Sequence, residues 1–338
     1  MTERYAPTRR DVLAMGAGAA LALGPEPLLA QGAPELRVRT GFGLSFFPVR
    51  LAELKGFYAK HAKAVGIPDM KVSLASFSGN SAMNDGILSG SIDLCIAAIP
   101  GLLLLWEKTR GPDKVVGYSG LSNLPGVLLT VDPKLKSLRD FGPEHKISTP
   151  SMLGINAFLI RMAAEKELGD YRKLDNNMVN LPNAEAVNAL LTGSVSANLT
   201  SVPFIQVIEK DQRAHRIFDS KSVFGSATNW VIVAGKQSFA TAKPAVAEVY
   251  MRAMKETLEF MKAEPAETAR LYLQAEPSKV LDEAAVTALL RSPENGYSME
   301  ALGIMGHAAF LKRTGVIKAE PANANEFMSP IAHGLKNT

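Results

Sequence analysis

Val115-Val116-Gly117-Tyr118-Ser119-Gly120-Leu121-Ser122-Asn123-Leu124-Pro125-Gly126-Val127-Leu128-Leu129-Thr130-Val131 decides how this chain is read. Two β-type runs, 115–118 and 127–131, flank a centre of Ser, Gly, Asn and Pro that favours a turn. Alternating strands and helices stand on both sides. The stretch therefore reads as a crossing between two α/β lobes that can close on something small. A β-branched residue at Gly120 is expected to disturb closure more than stability. Ser119 and Ser122 are either turn formers or polar groups on the cleft floor.

Working outward, residues 87–100 and 190–203 repeat one pattern. Ile87-Leu88-Ser89-Gly90-Ser91-Ile92-Asp93-Leu94-Cys95-Ile96-Ala97-Ala98-Ile99-Pro100 aligns without a gap on Leu190-Leu191-Thr192-Gly193-Ser194-Val195-Ser196-Ala197-Asn198-Leu199-Thr200-Ser201-Val202-Pro203, at an offset of 103 (190 − 87). Helix end, Gly stop, strand and Pro restart coincide, and Asn80 and Asn183 share the offset. Either the chain holds two lobes of one architecture, or two helix–Gly–strand–Pro units look alike by nature.

The first lobe reads as strands at 36–42, 70–75, 91–98 and 115–118. Helices lie between them: one opened by Pro48 and running to about Ala64, one at 81–89, and one from Ile99 to Thr109. In the second, strands at 146–149, 178–181, 195–201 and 214–218 alternate with helices opened by Pro150, Asn183 and Pro203. This alternation implies a parallel, doubly wound sheet in each lobe. Trp230-Val231-Ile232-Val233-Ala234 is a strand able to cross back. Helices follow at 243–263, 265–274, 282–291 and 299–315, and the polar tail from Ala319 is expected to be loose. The organisation is 34–122 with 227–318 as the first lobe, 123–226 as the second, and 319–338 as a tail.

Ligands of open parallel sheets bind at the carboxyl ends of the strands. Those ends carry Ser45, Ser78-Gly79-Asn80-Ser81, Pro100-Gly101, Thr149 with Ser151, and Thr200-Ser201. Each turn precedes a helix start, where free N–H groups and the positive dipole end favour an anion. The same residue types also serve as ordinary N-caps. Phe46, Ser119, Asn229 and Trp230 complete the candidate set, with Trp230 the leading aromatic.

The composition is that of a soluble globular chain, 47% hydrophobic and 21% charged, with a formal net charge of +4 and no run of like charge to suggest nucleic acid. The single cysteine, Cys95, sits in an apolar run and reads as a buried hydrophobe. Five scattered histidines show no ligand spacing, so no metal is assigned. The sequence carries no nucleophile elbow, zinc-protease motif or phosphate loop, so no catalytic residue and no cofactor are assigned. At the N-terminus, Arg9-Arg10 precedes an apolar run from Val12 to Leu23 and a small-residue region at Ala30-Gln31-Gly32-Ala33. That order is a cleavable export signal spanning 1–33, and the paired arginines resemble the twin-arginine type.

The chain resembles the periplasmic solute-binding proteins of ABC importers, of the taurine, alkanesulfonate and nitrate type. The likeness covers roughly residues 36–318. It rests on Phe47-Pro48 with Ala52-Glu53-Leu54-Lys55-Gly56-Phe57-Tyr58, on Ser78 to Ser81, on Leu88 to Leu94, on Ala189 to Val195, and on Phe310-Leu311-Lys312-Arg313-Thr314-Gly315-Val316-Ile317. The resemblance implies two lobes joined by two crossing strands, with the C-terminal helices on the first lobe. It also implies an interlobe ligand site at the turns already named. Ser196 stands where the family's second Gly-x-x-Asp motif has Asp. A related branch makes a vitamin pyrimidine with cysteine- and histidine-rich segments, which this chain lacks. The implied role is a monomeric periplasmic receptor that captures a small solute, an organic anion such as a sulfonate, carboxylate or nitrate, and delivers it to an inner-membrane ABC permease. The alternatives are a ligand sensor for a membrane receptor and an enzyme on the same fold.

Overall fold

The computed structural model describes residues 33–76, 80–152 and 154–338, so the export signal lies outside the described residues except for Ala33. The first lobe begins with β1 (Glu35–Thr40), in which Leu36, Val38 and Thr40 turn inward in strict alternation. There follow α1 (Phe47–Leu54), α2 (Phe57–Val65), β2 (Lys71–Ser76), α3 (Asn80–Ser89), β3 (Leu94–Ala97), α4 (Ile99–Lys108) and β4 (Val115–Ser122). The long helix expected after Pro48 is two helices. Gly56 stands between them at φ +68°, a left-handed conformation that ends the first run and is strained for any residue with a Cβ.

The chain then crosses into β5 (Val127–Thr130), β6 (Ile147–Thr149), α5 (Ile155–Leu168), β7 (Met178–Asn180), α6 (Asn183–Leu191), β8 (Ala197–Thr200), α7 (Phe204–Ile208), β9 (His215–Asp219) and α8 (Ser220–Phe224). Pro150 does not open α5. Gly154 in extended conformation is its N-cap, and residues 150–153 separate it from β6. The return strand is β10 (Val231–Lys236), followed by α9 (Ser238–Ala242), α10 (Pro244–Ala263), α11 (Pro265–Ala275), α12 (Glu283–Arg291), α13 (Ile304–Arg313) and α14 (Ala324–Phe327).

The two sheets have the same topology. Their orders are β2-β1-β3-β10-β4 and β7-β6-β8-β5-β9. In each, the first three strands are parallel, and the fourth is an antiparallel strand supplied by a crossing. β3 and β8 lie at the 103-residue offset (197 − 94), and so do the starts of α3 and α6. The repeated sequence is thus a repeated fold, and the antiparallel strand of each sheet is the one that follows a crossing.

The C-terminal chain departs from expectation in two places. Residues 295–302 are not helical and run as a strap along the crossings. Asn123 N–H donates to Gly296 O at 2.9 Å, Gly120 N–H to Met299 O at 2.7 Å, and Asn229 N–H to Leu302 O at 3.1 Å. The tail is also docked rather than loose. Phe327 and Met328 are buried, and Ser329 N–H donates to Gly117 O at 2.7 Å. Apolar side chains hidden among polar neighbours explain the misreading, since burying a residue such as Phe327 contributes about 2 kcal/mol. Gly120 is therefore a packing position. A Cβ there would stand 2.0 Å from Glu300 O, so a β-branched residue at Gly120 bears on stability as well as on the closure expected from the sequence.

Candidate binding cleft

Topology brings the carboxyl ends of both sheets together. β4 runs parallel to β3, because β10 is antiparallel to both, so Ser122 leaves the first sheet at the edge where β1, β2 and β3 end. Five residues later Val127 enters the second sheet beside Thr200, the last residue of β8. The turns after β1, β3, β6, β7 and β8 consequently face one another across the crossings.

On the first-lobe side stand Ser45, nearly buried, and half-buried Phe46, whose ring covers Gly41 closely enough that a Cβ would meet it at 2.9 Å. Pro100 is buried in the first turn of α4. Gly101 beside it is exposed, with open space where a Cβ would point. On the second-lobe side, Thr149 is buried and its hydroxyl donates to Ser151 O at 3.3 Å. Ser201 O accepts from Phe204 N–H at 2.9 Å, which shapes the turn into α7, and the hydroxyl of buried Thr200 has no partner. Ser78 and Gly79 lie outside the described residues, and of Asn80 and Ser81 only the backbone, at the start of α3, is described.

The helix starts around this cleft decide between capping and ligand binding. The N-cap residues of α1, α4, α5, α6 and α7 are Phe46, Ala98, Gly154, Pro182 and Pro203, and none makes a side-chain cap. At the same edge, Asp219, which ends β9 beside Val127, caps α8, and elsewhere in the chain α12 and α14 are capped by Asp282 and Asn323. The N-cap positions of those five helices therefore consume no hydroxyl. The turns 41–46, 98–101, 149–154, 181–183 and 200–203 carry no Asp, Glu, Lys or Arg, so their polarity comes from backbone dipoles and hydroxyls.

Three candidates play other parts. The Ser119 hydroxyl is inside the first lobe, 2.7 Å from the Tyr250 hydroxyl, and Ser119 is fully buried. It packs against α10 and stands three residues back from the end of β4 at the cleft. Asn229 is also fully buried and is committed to the strap, accepting from Leu302 N–H through its Oδ1 and donating to Ser122 O at 3.4 Å. Trp230 is 8% exposed and wedges the two crossings. Its ring lies so close to Gly126 that a Cβ would meet it at 2.4 Å, with Leu159 of α5 alongside.

Sequence reasoning missed the residues that hold the first turn in place. Gly43 N–H donates to Glu276 Oε2 at 2.6 Å, and the Tyr297 hydroxyl donates to Leu44 O at 3.2 Å. Burial pushes the Glu276 carboxyl up, against the opposing pull of that N–H and of nearby Arg50. No local signal announces either residue, because each lies more than two hundred positions along the chain from the turn it holds.

A family model described as the NMT1-like family matches residues 31–274. The chain belongs to the NMT1-like family. No curated protein matches it. Among solved structures it is similar to the periplasmic aliphatic sulphonate binding protein SsuA from Escherichia coli, at 15% identity and a TM-score of 0.68, covering 87% of this chain and 91% of that one. It is also similar to the alkanesulfonate-binding SsuA from Xanthomonas axonopodis pv. citri bound to MOPS, at 15% identity and a TM-score of 0.65, covering 90% and 98%. The periplasmic nitrate-binding protein NrtA from Synechocystis PCC 6803 stands at 15% identity and a TM-score of 0.63, covering 90% and 85%. The fold of this NMT1-like chain is that of the periplasmic binding proteins, and these neighbours are binding proteins rather than enzymes.

Proposed function

We propose that this protein is a periplasmic receptor that captures a small organic anion between its lobes and delivers it to an ABC permease. The observation that carries the reading is the ring of uncapped helix starts. Five of them, contributed by both lobes, surround turns without a charged side chain. Uncapped N–H groups at a helix start attract negative charge without placing a fixed cation in the site. Contacts from both lobes would favour the closed population, so binding and closure are one equilibrium. Ser45, Phe46, Ser78 to Ser81, Pro100, Gly101, Thr149, Ser151, Thr200 and Ser201 would line that site. The two lobes would be 34–122 with 227–318, and 123–226. Export would use the segment 1–33, and the working form would be a monomer.

A melting-temperature screen with purified protein against small sulfonates, carboxylates and nitrate tests the reading. A ligand present at about 100 times its Kd adds about 2.7 kcal/mol to stability by mass action, a readily measured rise. Small-angle scattering with that ligand should show a smaller radius of gyration. A panel in which no anion raises the melting temperature, or a binder that leaves the shape unchanged, would overturn it.

A further inference from the structure

The second-lobe wall of the cleft contains polar groups for which the fold provides no partner. Asn198 in β8 is fully buried, and both its side-chain nitrogen and its oxygen lack a hydrogen bond. Thr200, two residues on, is 1% exposed, with its hydroxyl likewise unpaired. Asn183 Oδ1 at the start of α6 and Gln206 Oε1 in α7 add two more buried atoms without partners.

Strand register places Asn198 and Thr200 on one face. They stand opposite Leu129 and Val127 of β5, which pack with Leu190 of α6 and Ile205 of α7. Both unpaired side chains thus lie beneath the two helices whose uncapped starts face the cleft. Thr200 is at the cleft edge, and Asn198 is about 6.6 Å behind it at 3.3 Å per strand residue.

The first lobe provides an internal control. Its positions at the 103-residue offset are Cys95 and Ala97, in a strand reading Leu94-Cys95-Ile96-Ala97. Cys95 is fully buried, and its burial pushes the thiol up to about 12. The same place in the same fold is therefore satisfied by apolar residues. Buried polar groups without partners are destabilising, so a polar pair retained there needs a partner from outside the chain.

We propose that Asn198 and Thr200 select the bound solute by pairing with an uncharged hydrogen-bonding group, such as a hydroxyl or carboxamide, carried on the anion. This inference rests on the anion reading above and deepens it. The uncapped helix starts hold the charged head. The amide of Asn198 and the hydroxyl of Thr200, each able to donate and accept, take the second group when the short turn into α7 makes room. A solute with a methyl in that place leaves them unpaired.

Calorimetric titration with 3-hydroxypropane-1-sulfonate and with 1-butanesulfonate, which differ by a hydroxyl in place of a methyl, tests this on wild type, Asn198→Leu and Thr200→Val. Wild type should prefer the hydroxylated anion about tenfold or more. Each variant should lose that preference while the ligand-free protein keeps or raises its melting temperature. The inference is overturned if wild type binds both anions equally, if the preference survives in both variants, or if both variants melt markedly lower, since the groups would then serve the fold itself. Failure of both anions to bind wild type would overturn this inference and the sulfonate part of the anion reading with it, a result distinct from equal binding of the two.

Discussion

Asp93 and Ser196 hold the same position in the two lobes, 103 residues apart (196 − 93), and do the same backbone work. Arg37 N–H donates to Asp93 Oδ2 at 2.9 Å, and Asp93 N–H returns a bond to Arg37 O at 2.9 Å. Lys146 N–H donates to Ser196 Oγ at 3.2 Å, and Ser196 N–H returns one to Lys146 O at 2.8 Å. The difference is in charge. Asp93 also takes the Arg37 guanidinium through both oxygens, at 3.1 and 2.9 Å, and Lys243 Nζ at 2.8 Å. Lys243 stands just before α10, where the chain has returned from the second lobe. The fold thus requires an acceptor at this turn, and only the lobe that receives the returning chain requires an anion.

The largest effect that would test this contrast is from Asp93→Ala. It leaves two cations and a strand N–H without their shared acceptor, and breaking such a buried pair costs about 3–5 kcal/mol. Because Arg37 and Lys243 retain some solvent contact, we expect the lower end, measured by urea unfolding. A loss below about 1 kcal/mol would erase the contrast between the lobes.

The charge also sets a pH dependence. Burial works to raise the Asp93 carboxyl, but the hydrogen bonds from Arg37 and Lys243 outweigh it and hold the group below its ordinary value. A depressed folded-state value means the stabilisation is complete above the unfolded carboxylate value, about 3.9, and is lost as pH falls through the folded one. Acid unfolding of wild type should steepen in that window, and Asp93→Asn should flatten it. Parallel acid curves would show that the carboxylate contributes nothing through its charge.

Gly120→Val ranks next. Its side chain would collide with the strap backbone, and overpacking of this kind costs about 1–3 kcal/mol. Ser196→Ala should cost about 1 kcal/mol, the value of one hydrogen bond, and so mark the neutral lobe's share. Arg313→Ala is the smallest. It removes the 2.5 Å pair with Glu165, which joins α13 to α5 of the second lobe across an exposed surface, and such pairs contribute about 0.2–1 kcal/mol. A Ser196→Ala loss equal to that of Asp93→Ala would mean that the backbone bond alone matters in both lobes.

The strands, the crossing and the repeat were legible in the sequence because they follow local rules: alternation, Gly stops, and Pro at helix starts. The 103-residue echo placed β3 on β8 and the start of α3 on that of α6. Position within the cleft was less legible. Ser119 and Asn229 are polar and sit near the crossing, yet Ser119 bonds to Tyr250 and Asn229 to Leu302, and neither partner is near in sequence. Glu276 and Tyr297 were invisible for the same reason. Asn198 was visible in the aligned repeat, as the only side-chain amide facing a run of apolar residues, but its lack of a partner is a property of the folded state.

The strap and tail have one more consequence. β4 is the last strand of its sheet, yet all eight of its residues are buried. Met328 bridges to Gly117, Met299 accepts from Gly120, and Tyr297 bridges to Ser122, so the final segment of the chain seals the margin of this strand. An unsealed strand margin offers its N–H and C=O groups to any other chain. Val-Val-Gly-Tyr-Ser-Gly-Leu-Ser would be such a template in a molecule in which residues 295–329 had not docked. Residues 295–329 therefore cover a strand margin that would otherwise be open to pairing with another chain.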